Sequence, residues 1–449
     1  MAEYPLVTLG RWVRALLGVP SIMRTWQAAA AACGLTGLER RGLGLSLEGR
    51  LEGMSVILQV GTRGSTALTS IRVGGIVDLD VVQFGAARDG LPDVHDRPVV
   101  LTGDVAFDRE FQLHGDLVAI QAVFDAPARQ ALRRLFTGDT DVPRFARSTE
   151  HALRATLARG ELRVEVPGDG ADWLREMLAQ TLDLARRLSR PAEIVAALAR
   201  NAAQDPEPGV RLQNLLRLIE DYPRHAATRP ILQAACADER EEVRLEAALA
   251  LGGDEGRAVL RALAAGAKDE ACAARALRGL GEDLDPAELL AFLDAALEGG
   301  RWQVAEEGVD GLRGRGGAPA LARLERALRV ETRGVALAAA RALARPPAPG
   351  AEDLLLRLGL THSSSDVAVA AAVALGLIGT AASVLPLREA GRRRGGELEA
   401  AALQAVGDIQ VRLGDALPGQ LSLAVGESGA LSIAPDTGQV SLPPERDLD

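Results

Sequence analysis

The apolar positions of this chain follow two periods, and the change between them sets its organisation. From Gly42 the spacing is two. Leu43, Leu45 and Leu47 alternate with small or polar residues, and so do Val56, Leu58 and Val60, Ile71 and Val73, Leu79 and Val81, and Phe111 and Leu113. Glu52-Gly53, Gly74-Gly75 and Asp89-Gly90 separate these runs as turns. The pattern predicts an antiparallel meander with one buried and one solvated face. The apolar run 118–124 fits a strand or the lead-in to a helix equally well. Pro127 stands where a helix N-terminus accepts it, ahead of a helix over 128–136. Residues 151–157 and 161–166 read as a hairpin about Gly160, and 173–188 as a long helix that ends before Pro191. Ahead of the meander, residues 6–19 and 22–33 read as two helical pieces broken near Pro20.

Beyond residue 200 the period is helical and the pattern repeats. Val210, Val243, Cys272, Val304, Val335, Val367 and Leu398 each open an apolar helix, at spacings of 33, 29, 32, 31, 32 and 31 residues. The stretch 243–252 is the fullest copy. Its apolar residues exceed what one stripe needs, which predicts a nearly buried helix. Gly252 stands where a left-handed residue would end it, and Asp238 where a carboxylate would cap it. Leu280-Gly281, Leu375-Gly376 and Val406-Gly407 predict similar ends. Each copy follows a second helical stretch, such as 229–237, 255–264 and 287–297. A period near 30 residues means stacked hairpins, because no one hairpin can bury its own apolar face. Residues 191–208, with Pro191, Pro206 and Pro208, read as a junction between the two regions.

The phrase Asp-x4-Val-Arg, paired Ala, then Leu-Gly is complete at Asp238, Val243, Arg244, Ala247, Ala248, Leu251 and Gly252. It is partial at Asp205, Val210 and Arg211, and at Asp366, Val367, Ala370, Ala371, Leu375 and Gly376. It resembles the HEAT-like repeats, in particular the short class first described in phycobilisome lyases, over residues 195–412. Resemblance implies that the second helices line a concave side and that the usual ligands are other proteins. Arg275, Arg278 and Arg341 lie on second helices beside the apolar positions, and with Trp302 they are the candidate partner-binding residues. Arg211 and Arg244 directly follow the opening Val, a placement that predicts a ladder to Asp or carbonyl groups of neighbouring repeats. Earlier in the chain, Phe107-Asp108-Arg109-Glu110-Phe111, then a helix, a hairpin and a long helix, resembles an uncharacterised bacterial domain family. That likeness spans about residues 100–190 and implies an α+β fold.

The expected architecture is an N-terminal helical segment (1–41), an α+β domain with the meander (42–190), an all-α HEAT-like solenoid (191–412) and an extended or disordered tail (413–449). Three phrases recur in that tail, Gly-Gln-Leu-Ser-Leu from Gly419, Gly-Ala-Leu-Ser-Ile from Gly429 and Gly-Gln-Val-Ser-Leu from Gly438.

Charge and composition narrow the function. The net charge of −10 argues against nucleic acid as a partner. Lys268 is the sole Lys, so Arg abundance reflects coding bias rather than phosphate recognition. Three isolated Cys form no Cys-x-x-Cys pair and no disulfide framework, in keeping with a reducing, cytoplasmic setting. Leu9, Trp12, Val13, Leu16 and Leu17 share one face of 6–19, which reads first as a helix packed on the domain that follows, with a weak membrane-surface contact as the alternative.

Candidate chemistry is sparse. No nucleotide loop, metalloprotease helix or nucleophile turn occurs, and no two of the five His stand at ligand spacing. Asp93-Val94-His95-Asp96 reads as a solvated loop rather than a metal cluster. Asp104 and Asp108 lie four apart on backbone read as a strand, which would place both on one face. A turn Asp and a solvent-facing Asp are the expected roles, ahead of an acid–base pair. No cofactor is implied. The leading expectation is a non-enzymatic protein-interaction scaffold. The alternatives are a HEAT-like enzyme of the tetrapyrrole lyase or DNA glycosylase type, and a peripheral membrane adaptor.

Overall fold

In the computed structural model the described residues are 22–40, 46–63, 66–83, 97–137, 154–167, 174–315, 317–344, 348–413, 421–423 and 431–433. The segment 6–19, the loop holding His95 and the third tail phrase lie outside them. The chain divides into two compact units, Met1–Leu251 and Gly252–Asp449. An N-terminal antiparallel sheet region is followed by a long run of helices, the α+β and then all-α order the two periods predict.

In the first unit, helix α1 (residues 22–32) leads into the sheet. Its strands are β1 (Thr36–Arg40), β2 (Ser46–Leu51), β3 (Met54–Arg63), β4 (Thr66–Gly74), β5 (Leu79–Gln83), β6 (Val99–Val100), β7 (Phe111–Gly115), β8 (Arg154–Ala158) and β9 (Glu161–Pro167). They form one antiparallel sheet in the order β1-β2-β3-β4-β9-β8-β5-β7-β6. Alternation decides which face is buried. Val56 opposes Val73, and Ile71 opposes both Leu58 and Val164, all fully buried. Their neighbours Gln59 and Arg72 lie on the other face and bond to each other at 2.7 Å. Hairpins close on paired positive-φ residues, Glu52-Gly53 and Arg159-Gly160, whose twist matches that of the strands. The sheet starts one strand earlier than the alternation from Gly42 implies, because Thr36–Arg40 pairs with β2.

Spacing alone places Phe107 and Asp108 on a strand, and the structure corrects this. Asp104 caps a short helix, α2 (Val105–Glu110), by accepting from Phe107 N at 2.9 Å, and β7 begins only at Phe111. Phe spacing of four fits a helical turn as well as a strand face, and the cap decides between them. The ambiguous run 118–124 is also helical, α3 (Leu117–Val123), capped by Asp116. Then come α4 (Ala126–Thr137) and α5 (Leu174–Arg187), which pack on each other and on the sheet. Trp26, Phe107, Phe111, Leu132 and Leu178 share their core.

The junction over 191–208 holds a helix. Residues Ile194–Gln204 form α6, which pairs with α7 (Pro208–Asp221); Pro208 sits in the first turn of α7, where a missing N–H costs nothing. A second hairpin follows, α8 (Thr228–Ala235) and α9 (Glu241–Leu251). Ala122 on α3 lies in one apolar cluster with Leu198, Leu215 and Val243, so the sheet region and these two hairpins are continuous.

Five more hairpins, among the described residues, build the second unit. They are α10 (Gly253–Gly266) with α11 (Glu270–Leu280), α12 (Pro286–Gly299) with α13 (Trp302–Gly311), and α14 (Ala318–Leu328) with α15 (Arg333–Ala342). Then α16 (Ala351–Leu354), extended by a π turn over Leu355–Gly359, pairs with α17 (Ser365–Ile378), and α18 (Val384–Arg394) with α19 (Gly396–Arg412). The seven periodic residues all fall at the third position of their second helices, and all are at most 3% exposed. Burying a side chain of this size contributes roughly 1.5–3 kcal/mol, which is why this position sets the period.

Gly252 and Gly281 do end their helices at positive φ. Gly376 and Gly407 do not: α17 runs on to Ile378 and α19 to Arg412. A Cβ at Gly376 would stand 3.1 Å from the Ala405 Cα, so this glycine serves close packing of α17 on α19. The helix over 241–251 is also less buried than its composition predicts, with Leu249 38% exposed. In the tail, Leu421–Leu423 and Leu431–Ile433 pair antiparallel as β10 and β11.

Candidate functional site

The Arg–Asp ladder is present in the first unit. Arg211 donates from Nε and Nη2 to the Asp238 carboxylate at 2.7 and 2.9 Å, and from Nη1 to the Asp205 carbonyl at 2.9 Å. Arg244 reaches the Asp238 carbonyl at 2.7 Å. Asp238 therefore faces its neighbour's Arg instead of capping α9, although it accepts from Arg240 N as the chain turns into that helix. Its carboxyl is held below its ordinary value of 3.8. Burial pushes it up, but the Arg211 hydrogen bond, Arg240 N and the Arg charges outweigh that.

One rung earlier the donor comes from the α+β region. Arg129 on α4 forks onto Asp205 at 2.9 and 3.1 Å, as Arg211 does onto Asp238, and gives its Nε to Asp104 at 3.1 Å. All three side chains are at most 9% exposed. Burial opposes the Arg129 charge, and the bonds and charges of Asp205 and Asp104 override it and raise its pKa. Asn201 on α6 adds bonds to the carbonyls of Gln121 and Ala122, both at 3.1 Å. Asp108 turns back to accept from Thr102 N, Thr102 Oγ1 and Gly103 N. Asp104 and Asp108 are thus occupied as a cap and a turn brace, and neither lies on a strand. This polar cluster is a joint between α4, α2 and the α6–α7 turn.

The second unit presents a different surface. Its second helices α11, α13, α15, α17 and α19 pack in sequence along one side. Because position three is in register, position nine forms a row: Arg278, Asp310, Arg341, Val373 and Gln404. Between α15 and α17 lies an open groove of about 820 Å³. Its floor is Leu337, Val369, Val373, Ala374 and Leu377, and its charged residues are Arg313, Arg333, Arg341 and Asp366. A second groove of about 680 Å³, between α11 and α13, continues from it through Arg313 and Gly314 and includes Arg278, Glu307 and Asp310. Arg278 pairs with Glu307, whose hydrogen bond raises the Arg278 pKa. Arg313 pairs with Asp310 at 2.7 Å and Arg333 with Asp366 at 2.6 Å. Arg341 has no ion-pair partner among the described residues, and it stands exposed beside the apolar floor. Val373 and Leu377, one turn apart on α17, are 53% and 48% exposed.

Of the four residues singled out from the sequence, the structure brings Arg278 and Arg341 to these joined grooves. Arg275 is exposed on α11 but lines neither, and Trp302, 37% exposed at the first position of α13, lines neither. Arg313, Arg333, Val373 and Leu377 line the grooves as well and lie outside those four. The signal for the last two is present: α17 is apolar on more faces than burial against its neighbours can use.

The other polar groups are tied into the fold. Nδ1 of His114 donates to the Arg97 carbonyl at 3.1 Å, and Nδ1 of His362 accepts from Ser364 N at 3.0 Å. Among the described residues no group of three or more His, Cys, Asp or Glu is placed to hold a metal ion, and no helix is long and apolar enough to cross a membrane. Arg301, Arg315, Arg394 and Arg412 each donate to backbone carbonyls one hairpin earlier, tying successive repeats together.

Fold and surface together define a class: an α+β domain followed by stacked helical hairpins, with open grooves on the second helices. No family model matches the chain, and no curated protein matches it. Six solved chains do match, among them human deoxyhypusine hydroxylase in complex with glycerol. That match has 16% identity, covers 48% of this chain and 96% of the other, and has a TM-score of 0.22, too low to carry an argument about chemistry.

Proposed function

We propose that this chain is a non-enzymatic adaptor that holds another protein against the second helices of its repeats, and that these repeats belong to the short HEAT-like class that phycobilisome lyases carry. The observation that supports this most is the exposed pair Val373 and Leu377 over the groove between α15 and α17. Both lie on a helix whose opposite side is already filled by Val367, Ala371 and Leu375. Core packing therefore does not require them to be apolar, and a rimmed apolar patch is what a partner covers. The charged side chains of the same surface support a binding role over an acid–base one, since Glu307, Asp310 and Asp366 are each engaged by an Arg.

The test is affinity purification from the native cell with the wild type and with Val373→Asp/Leu377→Asp, followed by quantitative mass spectrometry. The reading expects a defined set of proteins to be lost with the variant while its circular dichroism stays unchanged. Equal recovery of every protein by both chains overturns it.

A further inference from the structure

We infer that the groove between α15 and α17 takes an acidic, amphipathic helix of the partner, an inference that rests on the interaction reading above. Its walls are helices whose backbone groups are bonded within themselves, so there is no strand edge for an extended peptide to pair with. What the groove offers is side chains alone, and a helix laid in a trough recognises those through apolar anchors at i, i+3 or i+4, and i+7. Val369, Val373 and Leu377 run along α17 at intervals of four. That row is roughly 12 Å long at about 1.5 Å per residue, the length of about two turns of a guest helix. Leu337 faces the row from α15.

Charge selects the guest's polar side. Arg313, Arg333 and Arg341 line the groove against Asp366 alone, in a chain whose net charge is −10. Arg313 and Arg333 already have carboxylate partners, whereas Arg341 has none among the described residues. Arg341 lies one turn beyond Leu337 on the same helix, so a guest carboxylate flanking the apolar anchors meets its guanidinium. A guest Lys or Arg at that place would face the Arg341 charge, which no carboxylate offsets among the described residues. The overall negative charge of the chain disfavours acidic proteins elsewhere on its surface, so the groove distinguishes an acidic helix by its position.

Panning the full chain with a phage-displayed library tests this, using a helix-forming scaffold of about five turns with randomised surface positions. The expected winners carry apolar residues at helical spacing with Asp or Glu beside them. Their affinity, read by fluorescence polarisation, falls at least tenfold with Arg341→Glu and is unchanged with Arg392→Glu on α18. Winners rich in Lys or Arg, winners indifferent to Arg341→Glu, or no winners at all overturn the inference. If neutral or basic winners bind and Val373→Asp/Leu377→Asp abolishes their binding, the interaction reading stands and the acidic-helix inference alone falls.

Discussion

Charged side chains join neighbouring elements in both units, but in different surroundings. In Met1–Leu251, Arg129 and Asp205 are 3% and 1% exposed, and Arg211 and Asp238 are 9% and 10%. In Gly252–Asp449, Arg278 is 68% exposed against Glu307, and Arg323 and Asp294 are about one-third exposed each. A buried pair cannot lose one partner without leaving a stranded charge, so it fixes the register of the elements it joins. An exposed pair is exchanged easily for water and holds little. The first unit therefore welds the sheet region to its two hairpins. The second relies on apolar packing and Arg-to-carbonyl ties, and leaves its second-helix surface available.

The contrast between the two units is steepest at Arg129. Arg129→Met strands Asp104 and Asp205 in the interior, and we expect a loss of about 3–5 kcal/mol in urea unfolding followed by circular dichroism. A loss below about 1 kcal/mol would mean that the buried joint is not what fixes the first unit. In the second unit the comparable sensitivity should lie in packing. Gly376→Ala drives a Cβ towards the Ala405 backbone and should cost about 1–3 kcal/mol in the same measurement.

Acid separates the two kinds of ion pair further. The folded Asp238 carboxyl titrates below its ordinary value of 3.8, so its contribution is complete above that pH and is lost as pH falls through the lowered folded value. Asp238→Asn should cost about 1–3 kcal/mol at about pH 7, with the deficit shrinking steadily as unfolding is measured from about pH 5 down to about pH 2. A deficit that is constant with pH would separate Asp238 from the ionic ladder. Arg278→Ala, on the exposed side, should change stability by no more than about 1 kcal/mol, and that small effect should fade with added salt.

Much of this is legible in the sequence because it is local or periodic. One buried residue at the third position of every second helix gives a nearly regular interval. Arg211 and Arg244 reveal their ladder because each follows the same Val. The misses have physical causes. Phe107 and Phe111 are four apart, and only the Asp104 cap distinguishes the six-residue helix before Phe111 from a strand. Helix α6 is hidden by prolines that sit at its ends. The Arg129–Asp205 bond joins residues 76 apart and follows no period. Arg278 and Arg341 are legible as surface residues because charges stand out beside apolar positions, whereas Val373 and Leu377 look like core, since an exposed apolar residue and a buried one are the same letter.

Site-specific photo-crosslinking in the native cell shows whether a partner covers α17. A benzophenone side chain would replace Val373 or Leu377 on α17 and, as a comparison, Leu385 on α18, which is 40% exposed. The account predicts that positions 373 and 377 yield the same discrete protein adduct and that position 385 does not. Adducts from 385 alone, or none from 373 and 377, would contradict it.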